Sequence, residues 1–300
     1  MGIPLITVLT PSYNRAHTLG ALSDSLLAQS ESDFEWLVVD DGSTDGTEAL
    51  MERLAPQWES RLRYVKKNNG GKHRALNIGI ALARGAWQFI VDSDDRLPPG
   101  SLAAIKALMP SAAADDIVGI MGLRVDPSGA VIGESLPLRA SPVDTASLAF
   151  VYGVRGDKAE VFKSAILRRY PFPEIEGERF LTESVAWHRM ARDGYKFALT
   201  NEPLYICEYL AGGLSDKSLE LRLKNPIGNE LYYREAIELP FPAWRLLREG
   251  VNYCRFLWHD RNVAQGFKAL SPRRRLLAAL CLPLGWAAFI LDKLRLSKKG

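Results

Sequence analysis

Three short apolar runs in the first hundred residues each end in a cluster of carboxylates or turn formers. Ile6-Thr7-Val8-Leu9 leads into Thr10-Pro11-Ser12-Tyr13-Asn14-Arg15, and Trp36-Leu37-Val38-Val39 into Asp40-Asp41-Gly42-Ser43. Phe89-Ile90-Val91 leads into Asp92-Ser93-Asp94-Asp95. Short β-rich runs that alternate with helical patterns predict β-α units and a parallel sheet. Open sheets of that kind bind ligands beyond the carboxyl ends of their strands. The three polar clusters are therefore expected to meet on one edge. Any one of them could be a turn; three in register make a site.

Helical spacing fills the gaps between these runs. After a first strand over Leu5–Thr10, Leu19, Leu22 and Leu26 recur at the period of a helix. After Trp36–Asp40, Thr47 is placed to cap a helix carrying Leu50 and Leu54. Leu62–Lys66 reads as a third strand, with Gly70-Gly71 as a break before the helix of Leu76 and Ile80. Trp87–Val91 is a fourth strand, and Pro98-Pro99-Gly100 leads into a helix with Leu102, Ile105 and Met109. Ile117–Leu123 reads as a fifth strand, followed by a hairpin turn at Asp126-Pro127-Ser128-Gly129. Residues 130–180, with Pro137, Pro142, Pro171 and Pro173, are less regular, and Glu183–Arg192 is again helical.

At 300 residues, 47% hydrophobic and 24% charged, the chain can bury a sizeable core, and its composition is not that of a disordered protein. The net charge of +3 conceals a split: 12 Lys/Arg stand against 3 Asp/Glu from Ala243 onward, and 26 against 32 before it. A mildly acidic body with a basic appendage suggests an anionic partner for the appendage. Cys207, Cys254 and Cys281, odd in number and widely spaced, argue for a reducing compartment and against a disulfide framework or zinc site. The N-terminus reads as a strand rather than a signal peptide.

Pro240 and Pro242 mark a boundary before the tail. Its uncharged stretch Leu276–Leu291 is interrupted by Pro283 and Gly285, preceded by Arg273-Arg274-Arg275 and followed by Lys293, Arg295, Lys298 and Lys299. A spanning helix needs ~20 apolar residues. An interfacial helix or shallow re-entrant hairpin on an anionic leaflet fits this pattern. A buried helical hairpin or an oligomer contact is the alternative.

Each cluster suits particular chemistry. Asp92, Asp94 and Asp95 at a strand end supply the carboxylates that hold Mg²⁺ or Mn²⁺ together with phosphate oxygens and water. Asp41 can accept an N–H from a nucleobase edge, and Gly42 allows close backbone approach. Pro11 and Tyr13 can form one wall of a base slot. Gly70-Gly71-Lys72-His73-Arg74, at a strand-to-helix junction, favours phosphate. No Walker motif and no G-x-G-x-x-G is present, which argues against a P-loop or a dinucleotide cofactor.

With these clusters in hand the chain resembles the family 2 glycosyltransferases, the inverting GT-A class. T-P-S-Y-N-R, V-V-D-D-G-S-T-D-G-T, A-L-N-I-G-I-A-L-A-R-G and V-D-S-D-D stand in the family's order, over roughly residues 5–215 and most specifically through 96. The resemblance implies an α/β, Rossmann-like, mixed but mostly parallel sheet flanked by helices, here with a C-terminal helical extension. It implies that Pro11, Tyr13 and Asp41 hold the base, usually uracil, that Asp92 meets the ribose, and that Asp94, assisted by Asp95, binds the metal. Asn14, Arg15, Asn77 and Ser93 join them in the donor site. Leu76 stands where many relatives carry Arg, which shifts phosphate contact to Lys72 or Arg74.

Phe180-Leu181-Thr182-Glu183-Ser184 is similar to the family's acidic acceptor-side motif, which makes Glu183 the candidate general base; Ser184 replaces the Asp of many members. Gly177-Glu178-Arg179-Phe180, and Glu208-Tyr209 through Gly213-Leu214-Ser215, resemble a subgroup acting in bacterial surface-polysaccharide assembly. The expectation is a catalytic domain over 1–220, with a nucleotide-sugar half at 1–100 and an acceptor-side half at 101–220. A basic tail over 221–300 follows, with a membrane-contact segment at 273–299. The implied partners are a nucleotide-sugar donor, a glycan or lipid-linked acceptor and an anionic membrane surface, in the cytoplasm at the inner face of the cell membrane, with no nucleic acid. Competing readings are a catalytically silent binding or scaffolding module and a nucleotidyltransferase, which ordinarily shows a Gly-rich, Arg-containing loop where Pro11-Ser12-Tyr13 stands.

Overall fold

The structure, a computed structural model, describes residues 2–208 and 218–297. It divides into two compact units, Met1–Phe172 with Gly194–Leu210, and Pro173–Asp193 with Ala211–Gly300.

The first unit is built on β1 (Ile6–Ser12), β2 (Phe34–Asp40), β3 (Leu62–Lys66), β4 (Trp87–Ile90), β5 (Ile117–Val125), β6 (Lys158–Lys163) and β7 (Lys196–Ile206). Its helices are α1 (Leu19–Leu27), α2 (Thr47–Trp58), α3 (Lys72–Leu82), α4 (Ser101–Leu108), α5 (Thr145–Phe150) and α6 (Ser164–Leu167). The strands form one sheet in the order β3-β2-β1-β4-β6-β5-β7. Neighbours from β3 to β4 are parallel, β6 runs antiparallel to both β4 and β5, and β5 and β7 are parallel. The sheet is thus mixed and mostly parallel, as the sequence predicts.

β1 and β2 are buried at every position, the pattern of central strands covered on both faces. Their register aligns Ser12 with Asp40, and β4 aligns Ile90 with Leu9. The carboxyl ends of all three therefore reach the same edge. β1 runs two residues past its predicted end, through Pro11. Leu9 accepts from Val91 on the β4 side, while Ser12 accepts from Asp41 on the β2 side. By alternation Pro11 faces the side where β4 has ended, so its missing N–H breaks no ladder bond.

Trp36 and Trp58 pack in the core with ring centroids 4.9 Å apart, tilted at 43°, and their indole N–H groups donate to Thr10 and Ser23. The cap of α2 differs from expectation. Gly46 precedes the helix, and the Asp45 carboxylate, rather than Thr47, receives the first-turn N–H at 3.0 Å. Asp126 closes the predicted hairpin turn by accepting from Ser128 and Ala130.

The second unit holds α7 (Ser184–Arg192), α8 (Ser218–Lys224), α9 (Pro226–Ile237), α10 (Ala243–Asp260), α11 (Val263–Ala269) and α12 (Pro272–Ser297). The buried Glu178 carboxylate caps α9 from a distance, accepting the N–H groups of Ile227 and Gly228, each at 2.7 Å. Arg189 and Arg192 of α7 both pair with Glu235 of α9, at 2.9 and 2.8 Å. Ile237, Tyr253, Cys254, Leu257, Leu270, Ala278 and Cys281 form a core of their own.

Of the two forms considered for this stretch, a helix or a re-entrant hairpin, α12 takes the first: it is one continuous helix through Pro283 and Gly285, about 39 Å long at the standard rise. It lies along α10, where Asp292, 1% exposed, accepts two bonds from Arg255 and one from His259 at 3.0 Å. Its other face exposes Leu276, Leu280, Leu284, Leu291 and Leu294, with exposed Arg273 and Arg275 at one end and Lys293 and Arg295 at the other.

Candidate active site

The loops after β1 and β2 are tied together. Asn14, held at φ 54, donates its N–H to Ser43 at 2.8 Å, and its side-chain oxygen accepts from Thr44 at 2.9 Å. Asn tolerates this left-handed conformation better than most residues. Ala16 adds a bond to Asp45. Pro11 is buried in β1, while Tyr13 projects at the strand end, 48% exposed.

Asp41 is almost wholly buried. One of its oxygens accepts from Lys67 and from the Gly70 N–H at 2.8 Å, and the other from Asn69 at 3.1 Å and the Gly71 N–H at 2.7 Å. This clamp depends on Gly42. Its φ is +81°, and a Cβ there would stand 2.7 Å from the Asn69 nitrogen. Lys67 and Asn69 were not expected in the site; the polar run Lys67-Asn68-Asn69 between β3 and the glycines was the available signal.

The acidic turn follows β4. Asp92 is half-buried and pairs with Lys72 at the start of α3, at 2.7 Å. Burial works to raise its carboxyl, but the Lys72 ammonium, with Arg124 and Arg15 behind it, outweighs burial and holds it below the usual carboxylate range. Asp94 is 24% exposed and pairs with Arg15 at 3.2 Å. Asp95 and Ser93 are buried. Asp95 accepts from the Tyr205 hydroxyl at 2.6 Å and the Glu208 N–H at 3.2 Å. Burial, and then the charges of Asp92 and Asp94, push it up to about 6 against those bonds. Two lysine- and arginine-carboxylate pairs thus bring the loop after β1, the turn after β4 and the start of α3 together. Half-exposed pairs of this kind are worth under about 1 kcal/mol, so they exchange readily.

Two further expected residues have backbone partners of their own. Asn77 exchanges two 2.8 Å bonds with the Phe172 backbone, and Arg74 turns back onto the Gly70 carbonyl at 2.9 Å. Glu183 belongs to the second unit, where it immediately precedes α7 and its carbonyl receives the N–H of Ala186. Tyr209 to Ser215 lie outside the described residues.

The donor set of the acidic turn can be tested for a divalent cation. Asp94 is a hard oxygen ligand open to solvent, and a cationic group, the Arg15 guanidinium, already lies against it. Among the described residues no group of three or more His, Cys, Asp or Glu is arranged to hold a metal by itself. The residues therefore fit a cation that takes its remaining ligands from a bound diphosphate and water, which is how Mg²⁺ is commonly held.

The sheet order, and the acidic turn at its carboxyl edge, define a GT-A-type α/β unit. The chain belongs to Glycosyl transferase family 2, whose family model matches residues 7–157. It is 34% identical over 116 residues to an uncharacterized glycosyltransferase of Nostoc sp., covering 39% of this chain and 35% of that protein. It is likewise 34% identical over 119 residues to a PGL/p-HBAD biosynthesis glycosyltransferase of Mycobacterium tuberculosis, covering 39% of this chain and 46% of the other. The chain thus matches less than half the length of either relative.

Among solved structures, Staphylococcus aureus TarS 1–349 in complex with UDP-GlcNAc superposes with a TM-score of 0.61 at 18% identity, over 92% of this chain and 79% of that one. The Pyrobaculum calidifontis mannosyltransferase PcManGT, in complex with GDP-Man and Mn²⁺, gives 0.58 at 20% identity, over 97% and 88%. At these identities the structures speak for the fold.

Proposed function

We propose that this chain is a metal-dependent, inverting glycosyltransferase that moves a sugar from a nucleoside-diphosphate donor, a UDP-sugar in the first instance, to a glycan or lipid-linked acceptor in polysaccharide or cell-envelope glycan synthesis. One observation carries the reading: Asp92 and Asp94 stand at the carboxyl edge of a parallel sheet, each paired with a cation that a diphosphate can claim. The UDP-GlcNAc and the GDP-Man with Mn²⁺ bound by the two structural neighbours support the donor class.

In this reading Tyr13 and Pro11 flank the base, and Arg15 and Lys72 bind the diphosphate oxygens. Asp92 meets the ribose, and Asp94 holds the metal. Mg²⁺ or Mn²⁺, when bound, neutralises charge growing on the leaving diphosphate. Glu183 accepts the acceptor hydroxyl's proton as that oxygen attacks the anomeric carbon opposite the leaving group, which inverts the centre. Asp41 acts on the base slot by shaping it, since its oxygens already accept four protein donors. The protein works in the cytoplasm at the inner face of the membrane, where the exposed apolar face of α12 and its terminal cations rest on an anionic leaflet.

Calorimetric titration with UDP, GDP, CDP and dTDP, with and without Mn²⁺, tests the proposal. Selective, metal-enhanced binding of one diphosphate that vanishes in Asp94→Ala is expected. Indifference to all four in either condition overturns it and favours a silent module.

A further inference from the structure

The acidic turn is pinned to β7 and the residues just after it by five hydrogen bonds. The Tyr205 hydroxyl accepts the Asp92 N–H at 2.9 Å and donates to the Asp95 carboxylate at 2.6 Å. The Glu208 N–H reaches the other Asp95 oxygen at 3.2 Å. The backbones of Arg96 and Ile206 exchange bonds of 3.0 and 2.8 Å. Tyr205 is itself fixed. It is 1% exposed, stands edge-on to Phe89 of β4 at 6.0 Å, and carries the Arg124 guanidinium 4.3 Å from its ring centroid. Arg124, on β5, is held by the Lys158 carbonyl of β6 at 2.8 Å. Three neighbouring strands therefore lock the rotamer of a side chain that lies 113 residues from Asp92 in sequence.

The turn is pinned on both sides of Asp94. Asp92 is held through its backbone N–H and its pair with Lys72, and Asp95 through both carboxylate oxygens, whereas Asp94 between them pairs with Arg15. We propose that Tyr205 is a positioning residue that, by clamping the Asp92 N–H and the Asp95 carboxylate together, presents Asp94 as the single protein ligand for the cation, with Asp95 part of the clamp rather than of the ligand set. A ligand must be held to within about half an ångström of its productive geometry by groups whose own rotamers are locked. The proposal rests on the donor-site reading above and assigns its metal to one carboxylate.

The test is a double-mutant cycle on the full chain, read as the enhancement of UDP affinity by Mn²⁺. Tyr205→Phe keeps the ring against Phe89 and Arg124 and removes only the hydroxyl. It is expected to cut the enhancement by roughly ten-fold, the size of one hydrogen bond to a charged group, and to lower metal-free UDP affinity by less than that, since Asp92 keeps its Lys72 pair. Asp95→Asn is expected to do the same, and the double variant to be no worse than either single, because both lie on one bond. Asp94→Asn is expected to abolish the enhancement altogether. Urea midpoints of each variant report folding separately, so a purely structural tyrosine would shift the midpoint and leave the metal enhancement intact. Abolition by Asp95→Asn, or full enhancement in Tyr205→Phe, overturns the proposal while the donor site stands. A wild type whose UDP affinity ignores Mn²⁺ overturns both.

Discussion

Gly42 and Asp41 work as a pair. The carboxylate of Asp41 gathers Lys67, Asn69, Gly70 and Gly71 into one turn, and only a residue without a side chain lets the Asn69 nitrogen approach at position 42. Gly42→Ala adds both the cost of a positive φ and a close backbone contact. A loss of about 1–3 kcal/mol is expected in urea unfolding. His188 illustrates the opposite kind of residue, one whose environment is apolar. Burial, and then the nearby Arg245 charge, depress its pKa to about 4. Its ring lies 5.2 Å from that of Tyr232. The unfolded chain binds a proton near pH 6.5 that the folded chain refuses until about pH 4, so the contribution is present above 6.5 and lost as the pH falls through that window. Stability is expected to drop by on the order of 3 kcal/mol between those values through this residue. Urea unfolding at pH 7 and pH 4.5 should show that slope reduced in His188→Phe.

At the scale of elements, Glu178 joins the segment before α7 to the start of α9 by taking two N–H groups that the helix cannot satisfy itself. Glu178→Ala leaves both buried and unpaired, and a loss of about 2 kcal/mol or more is expected. Gln at the same place can satisfy one of them and should recover part of the loss. The local elements were readable because their period and composition are local: β1 to β4 and the helices between them follow from runs of Val, Ile, Leu and Trp and from 3.6-residue spacing. The insertion of β6 between β4 and β5 was not readable, because Lys158–Lys163 carries no mark of which strands it will join. The same holds within the site. Asp92, Asp94, Arg15 and Lys72 stand out as residues, but the bonds of Tyr205 to the acidic turn and of Asn77 to Phe172 span 113 and 95 positions. A side chain's partner at that distance is decided by the packing of the whole sheet.

At the scale of the molecule, the tail is where composition and packing say different things. Pro272–Arg295 is long and apolar enough to cross a membrane by length and composition, yet one face of it belongs to the core made with α10. Removing it would uncover Tyr253, Cys254 and Leu257, so truncation confuses membrane release with unfolding. Point substitutions on the open face separate the two. Leu276→Glu, Leu280→Glu and Leu284→Glu together are expected to abolish co-sedimentation with phosphatidylglycerol-containing vesicles without lowering the unfolding free energy read from urea titration by more than about 1 kcal/mol. Undiminished co-sedimentation would exclude this face as the contact.

Asp292 limits what α12 can become. If α12 left α10, Asp292 would abandon its bonds from Arg255 and His259. Those two would be left behind as unpaired cationic and imidazole groups on α10. Asp292, Arg255 and His259 thus moor α12 to α10 along its C-terminal half.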